Sequence, residues 1–432
     1  MTTSGATPIV WRNSPARSRH RFDPIHMNIR NYAVVTGAYW AFTLTDGALR
    51  LLVLLHFFNL GYSPVQLAFL FLFYEFFGIV TYLLGGWIAS QMGLRVTLLS
   101  GLMLQVLALG MLALLDPGWP EWGSVAFVMA AQALSGIAKD LTKMSSKSAI
   151  KVLVPAGADS ALFKWVAVLT GSKNALKGVG FFLGGFLLSV AGFEGALAWM
   201  AGVLVIVWAS SWIALPPNMG QAKTKVGFKQ LFSKTREINV LSAARLFLFG
   251  ARDIWFVVGV PVFLEGTLGW SFSQVGTFMA LWVIGYGILQ SITPNLLRGH
   301  HPTGRTAAVT GFALAVVAAI TPVTLAMGAP PAMVLVGGLA IFGAVFALNS
   351  AVHSYLILDY TDGDKVALNV GFYYMANAGG RLIGCLLSGI LYQVAGLQGC
   401  LWGAFAFAVI STLIALGLPK TYGTCSTIVP KS

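Results

Sequence analysis

Charged side chains are scarce in this chain. Asp, Glu, Lys and Arg make up only 9% of its 432 residues, against roughly 25% in an ordinary soluble domain. That argues against one large water-soluble core. Cysteine is scarcer still: Cys385, Cys400 and Cys425 are the only three. With no C-x-x-C and no His/Cys cluster, neither a disulfide framework nor a sulfur-ligated metal centre is expected. Acids are outnumbered, 14 against 27 Lys and Arg. The chain also lacks G-x-x-x-x-G-K-[ST], H-E-x-x-H and G-x-S-x-G. ATP hydrolysis, zinc proteolysis and elbow-serine chemistry are therefore not expected, and the chain reads as neither an enzyme nor a cofactor or metal binder.

What is present is apolar surface. Hydrophobic residues make up 57% of the chain, mean hydropathy is +0.79, and there are 13 Trp and 29 Phe. Such a composition fits a polytopic membrane protein in a lipid bilayer. The net charge of +13 does not point to nucleic acid, because the cations lie in short loops and inside apolar segments rather than on one solvated face. Residues 1–30 carry Arg12, Arg17, Arg19, Arg21 and Arg30 without an apolar h-region. They read as a basic cytosolic tail, not a cleavable signal peptide.

Twelve apolar stretches are long enough to cross about 30 Å of hydrocarbon. They are 31–58, 63–90, 96–115, 123–143, 162–190, 196–215, 240–264, 272–297, 307–327, 332–355, 366–394 and 400–418. With the N-terminus inside, the outer connections around Gly61, Pro117, Gly192, Gly266, Pro330 and Gly396 contain no Lys or Arg. That asymmetry is the positive-inside pattern, and it places both termini in the cytosol.

The halves repeat one another. "LGYSPVQL" (Leu60 to Leu67) returns as "LGWSFSQV" (Leu268 to Val275), and "SVAGFEG" (Ser189 to Gly195) returns as "QVAGLQG" (Gln393 to Gly399). The second match sets Lys177 opposite Arg381. The expected domains are therefore a six-helix bundle over 31–215, a basic cytosolic linker over 216–239, a second bundle over 240–418 and a cytosolic tail over 419–432. This describes an all-α polytopic protein of the major facilitator architecture. The loop signature of that architecture between spans two and three is eroded in "GWIASQMGLRV" (Gly86 to Val96), where Ser90 and Gln91 stand in for an acid and a base.

The informative residues are charges at depth. At about 1.5 Å per residue, Asp46, Arg50, Glu75, Arg252 and Asp253 lie near mid-membrane, as do Lys173, Lys177 and Arg381. Each such cation costs roughly 2.5–3.5 kcal/mol unless paired or hydrated. The acids Asp46, Glu75 and Asp253 are too few to neutralise Arg50, Lys173, Lys177, Arg252 and Arg381. The surplus predicts a wet cationic cavity for an anion with more than one charged group. Asp46–Arg50 and Arg252–Asp253 read as internal ion pairs or as substrate contacts. Arg245 is expected to snorkel to the cytosol. Glu75, among apolar neighbours, reads as a proton-coupling site or a buried hydrogen-bonded acid, with Asp253 as a second coupling candidate. Asn174, Asn349, Asn369 and Asn377 fit either substrate contact or helix glue, and His56 and His353 fit polar packing.

The lysines of "SGIAKDLTKMSSKSAIK" (Ser135 to Lys151) recur every fourth position, on one helical face. Lys147 and Lys151 fall beyond span four and serve orientation. Lys143 is borderline. Lys139 is deep enough to snorkel, pair with Asp140 or stand at the inner mouth of a cavity.

Five blocks carry a closer resemblance: "YWAFTLTDGALRLLVLLHFF", "GYSPVQLAFLFLFYEFFGIVT", "AQALSGIAKDLTKMSSKSAIK", "LFKWVAVLTGSKNALKGVGFFLGG" and "RLFLFGARDIWFVVGVPVF". Over roughly residues 28–420 the chain resembles the ArsJ-type organoarsenical efflux permeases of the major facilitator superfamily. The resemblance implies export of 1-arseno-3-phosphoglycerate across the inner (plasma) membrane, arsenate resistance, and a functional link to the glyceraldehyde-3-phosphate dehydrogenase that makes this labile ester. It supplies no ligand set. On the residues alone, Lys173 and Lys177, with Lys139 or Lys143 nearby, would hold one end of the anion. Arg252 and Arg381 would hold the other, with Arg50 held by Asp46 and hydrogen bonds from Asn174 and Asn377. Trivalent arsenic would want converging thiolates, which three scattered cysteines do not offer. An antiporter acting as a monomer is expected, and an exporter of ordinary phosphorylated metabolites or organic anions is the alternative.

Overall fold

The structure is a computed structural model that describes residues 29–116, 118–153, 159–217, 219, 235–296, 302–361 and 366–419. Most of the N-terminal tail, the central linker and the C-terminal tail fall outside that range. Among the described residues the chain is helical throughout. Its helices are α1 (Ile29–Asn59), α2 (Pro64–Leu70), α3 (Leu72–Met92), α4 (Leu94–Ala113), α5 (Glu121–Leu153) and α6 (Asp159–Ala214). The second half holds α7 (Arg236–Phe256), α8 (Gly259–Gly266), α9 (Phe272–Leu296), α10 (Gly304–Ala326), α11 (Pro331–Asp359) and α12 (Val366–Ala415).

Nine stretches are long and apolar enough to cross a membrane. Two of them, in α6 and α12, hold two spans each, broken at Gly192 and at Ala395–Gly396. α5 is not among the nine, but it contains the apolar stretch 123–143, so each of the twelve expected stretches is helical over most of its length. α5 runs on through Lys147 and Lys151, whose side chains lie outside the described residues.

The repeated sequences fold as repeated structures. Gly61 and Gly269 both adopt positive φ, 87° and 68°, which glycine tolerates without strain. Each is followed by the same helix start. Gln66 accepts from the Ser63 backbone N–H at 2.8 Å and donates its own N–H to the Ser63 hydroxyl; Gln274 and Ser271 do the same. The paired Ser and Gln side chains satisfy amide groups that a helix end leaves open. The other repeat pair, Gly192 and Gly396, turns the chain at φ 69° and 60° between consecutive spans.

Spans two and seven are interrupted, at Phe71 between α2 and α3 and at Val257–Val258 between α7 and α8. The second break is satisfied from α12: the buried Ser388 hydroxyl accepts from the Val258 and Gly259 N–H groups, both at 3.1 Å. Backbone amides in a lipid-embedded span need such a partner, because no water is at hand to supply one.

Within the first half α6 packs on α1, and a Cβ on Gly180 would lie 2.6 Å from the Leu44 carbonyl. Between halves, α6 meets α9 and the α2–α3 pair meets α12. Gly185 lies so near the Phe272 carbonyl that a Cβ would overlap it, and a Cβ on Gly389 would likewise collide with Pro64. The halves are therefore closed, backbone against backbone, at the end bearing Pro64 and Phe272.

Candidate functional site

Between the halves lies a cavity of about 170 Å³ walled by α1, α3, α5 and α6 on one side and α7, α9, α11 and α12 on the other. A side chamber of about 40 Å³ lies among first-half residues with Arg381 of α12 in its wall. Tyr82, Lys143, Lys173, Lys177 and Arg381 line both, so the two spaces are neighbours. The central volume is below the roughly 300–1,000 Å³ of a drug-sized pocket and suits a small, compact solute.

Every cation proposed from sequence lines these neighbouring spaces. Arg50, Lys143, Lys173, Lys177, Arg252 and Arg381 border the central cavity, and Lys139 joins Lys143, Lys173 and Lys177 in the side chamber. Asn174 and Asn377 also border the central cavity. Asn174 donates to Gln290 at 3.4 Å, from the first half to the second. Asn349 is instead spent on helix packing, donating to the Ala307 carbonyl and to Thr310, and Asn369 donates to Thr361.

The acids are arranged differently from expectation. Asp46 does not hold Arg50. It accepts a 2.6 Å hydrogen bond from the Tyr74 hydroxyl, while Arg50 Nη1 lies 3.1 Å from Glu75 Oε1. Glu75 is fully buried, and its other oxygen lies 2.5 Å from Arg381 Nη2. One carboxylate thus bridges an arginine of its own half and one of the opposite half. Glu75 therefore sits between two guanidinium groups, not in the apolar surroundings expected for it. Arg252 pairs with Asp253, its Nε 2.6 Å from Oδ1. Of the three deep acids, Asp46 alone has no ion-pair partner among the described residues, and it faces the side chamber.

Two other expectations are corrected. Arg245 does not snorkel. It is buried at 3% exposure, donates to the Ser350 carbonyl and hydroxyl at 3.0 Å each, and lies over the Phe249 ring at 4.1 Å. Its head borders the cavity, because α11 brings a polar group to it and makes the route to water unnecessary. Lys139 does not pair with Asp140, which accepts from Thr81 at 2.8 Å. Its buried ammonium instead sits 3.9 Å from the Tyr74 ring centroid, with no hydrogen-bond acceptor among the described residues.

The side chains lining the two spaces include eight cations (the six above with Arg245 and Lys139) and two acids, Asp46 and Asp253. Counting Glu75 behind Arg50 and Arg381, the surplus among the described residues is five. Aromatic faces carry part of it. Arg252 lies 4.8 Å from the Phe249 ring and Lys143 4.5 Å from that of Tyr82, a favourable placement for a cation over a π-face. Lys143 also bonds the Tyr82 hydroxyl.

Sequence reasoning missed the aromatic side of the site. Trp282 and Tyr286 stack in parallel at 5.9 Å, and Tyr82 stacks on Tyr374 across the halves at 5.8 Å. Phenylalanine and tryptophan carry no signal for a cavity in a chain this rich in them. The mid-span tyrosines do, since each hydroxyl needs a polar neighbour. The two described thiols, Cys385 and Cys400, are buried away from the cavity, each donating to a backbone carbonyl, and Cys425 lies outside the described residues.

No curated protein matches the chain in sequence. Residues 241–425 match the family model described as Major Facilitator Superfamily. In three dimensions the chain is similar to a structure titled "Crystal structure of D-xylose-proton symporter", with a TM-score of 0.67 at 14% identity, over 90% of this chain and 97% of that one. The chain is a multi-pass membrane protein with the major facilitator fold, and its second half carries that superfamily's sequence pattern.

Proposed function

We propose that the chain is a secondary transporter that exports a small, multiply charged organic oxyanion by alternating access, and that its substrate is an organoarsenical phosphate ester, 1-arseno-3-phosphoglycerate. The observation carrying this reading is the surplus of five cations around a space between the two halves. Cations at this depth cost roughly 2.5–3.5 kcal/mol each unless compensated, and an anion of two or more charges offsets several at once. A neutral sugar, the cargo named for the similar symporter, would leave them uncompensated. Arginine forks also match tetrahedral oxyanions geometrically.

The substrate assignment rests on the resemblance of the five sequence blocks to organoarsenical permeases, and the two-part cavity is consistent with it. Lys139 lines the side chamber, Arg50 and Arg252 line the central space, and Lys143, Lys173, Lys177 and Arg381 border both. A molecule with an arsenate ester at one end and a phosphate at the other would meet cations along its length. In this reading the protein lies in the inner membrane with both termini cytosolic. It acts beside glyceraldehyde-3-phosphate dehydrogenase and confers arsenate resistance.

Uptake into inverted vesicles tests it. Vesicles containing the protein should accumulate the arsenical generated in situ by the dehydrogenase, arsenate and glyceraldehyde 3-phosphate. Competition by 3-phosphoglycerate would favour the broader alternative, an exporter of phosphorylated metabolites. No uptake of either anion would exclude both.

A further inference from the structure

Glu75 occupies an unusual position. It is fully buried on α3, and its two oxygens are divided between Arg50 of α1 and Arg381 of α12. Among the described residues, its contact with Arg381 is the one ion pair that crosses between the halves. Both arginines also line the central cavity.

The contacts on Glu75 are ionic but poorly aligned: neither of its oxygens forms a well-directed hydrogen bond. Among the described residues, buried Arg50 Nη2 and Arg381 Nε have no hydrogen-bond partner. Each guanidinium therefore spends one nitrogen on Glu75 and keeps buried donor capacity in reserve. A buried arginine donor left unmatched is costly, and a planar fork is best satisfied by two oxygens of one acceptor. A bidentate ligand would satisfy these arginines better than Glu75 does.

The position of the pair gives this a mechanical meaning. Beyond it, toward Pro64, α12 closes directly on α2: a Cβ on Gly389 would lie 2.5 Å from the Ala68 side chain, and Cys385 donates to the Ala68 carbonyl. Arg381 is the charged part of that closure that faces the cavity, with Glu75 buried behind it.

We propose that Glu75 is a built-in counter-anion, occupying the substrate's arginines while the cavity is empty and locking the two halves together at the Pro64 end. A dianionic tetrahedral oxyanion displaces it, taking both arginine forks and opening the clasp. A monocarboxylate cannot do so, since it offers those arginines no more charge than Glu75 already provides. Selectivity for multiply charged anions is then coupled to the conformational change, because an anion that fails to displace Glu75 leaves the halves joined. The inference rests on the transport reading only for the identity of the natural oxyanion.

Spin labels at Leu114 and Met327, exposed residues just beyond α4 and α10 in opposite halves, would report separation at the closed end, in a background with Cys425→Ser. In ligand-free protein, Glu75→Gln should enlarge the long-distance population about tenfold over the parent, and Glu75→Asp should not. Saturating inorganic phosphate should shift the parent in the same direction, and lactate should not. An unchanged distribution in Glu75→Gln overturns the clasp, and a parent insensitive to phosphate or equally responsive to lactate overturns the displacement. If phosphate opens the clasp but no organophosphate enters vesicles, the substrate reading fails and the clasp stands.

Discussion

The Lys139 ammonium rests 3.9 Å from the centre of the Tyr74 ring, and the Tyr74 hydroxyl reaches the other way to Asp46 at 2.6 Å. One aromatic side chain thus stands between a cation without an acceptor and an acid without an ion-pair partner among the described residues. Arg50 flanks the same ring at 5.3 Å.

Two substitutions at this position separate its roles. Tyr74→Phe keeps the ring under Lys139 but deprives Asp46 of its donor. Losing a hydrogen bond to a buried charged group costs about 1–3 kcal/mol, so the melting temperature in detergent should fall. Tyr74→Leu also removes the π-face and should fall further, by roughly the 0.5–2 kcal/mol of a desolvated cation–π contact. Equal losses in the two variants would show that the ring does nothing for Lys139.

Lys177 gives a prediction of opposite sign for stability and function. It borders both parts of the cavity and forms no ion pair among the described residues. Lys177→Gln removes an uncompensated cation from the interior, so thermal stability should hold or rise. Affinity for inorganic phosphate should fall about tenfold, the equivalent of roughly 1.4 kcal/mol. Scintillation-proximity binding beside a melting curve checks both; a melting temperature falling along with affinity would mark Lys177 as structural.

Ser388 carries the break in span seven. Its hydroxyl is the acceptor for two consecutive amides, those of Val258 and Gly259. Ser388→Ala leaves both donors buried and unmatched, at about 1–3 kcal/mol each. Thermal unfolding should show that loss. Ser388→Thr, which keeps the oxygen, should retain most of the stability if the extra methyl is accommodated.

How far the sequence reached can be judged from particular residues. The repeat was legible because Gly61, Ser63 and Gln66 form a local device, a left-handed turn and a capping pair, that needs no distant partner. The deep cations were legible because a charge in an apolar span is costly wherever its helix faces. The pairing of the acids was not. Asp46 and Arg50 are one turn apart on one helix, a spacing that favours contact, yet Glu75 from α3 reaches the arginine instead. Which helix turns which face to α1 depends on packing among several spans. Arg245 failed for the same reason: its partner Ser350 lies on α11, more than a hundred residues away.

The closure between α6 and α9 yields a final prediction that does not involve charge. A Cβ on Gly185 would overlap the Phe272 carbonyl, and a Cβ on Gly276 would lie 3.0 Å from the Phe181 carbonyl. Backbone carbonyls cannot swing aside as a flexible side chain can, so the two helices must separate to admit a larger residue. Overpacking of this kind typically costs 1–3 kcal/mol. Here the cost falls selectively on the state in which the halves touch at the Phe272 end. Gly185→Val should therefore shift the population away from that closed state while the cationic cavity keeps its side chains. Inorganic phosphate should still bind within about threefold of the parent, whereas turnover in proteoliposomes, which requires every state of the cycle in sequence, should fall at least about tenfold. The same substitution at Gly202, where a Cβ meets nothing within 4 Å, should leave binding and transport close to the parent. A Gly185→Val protein that transports normally would show that α6 and α9 need not meet this closely during the cycle.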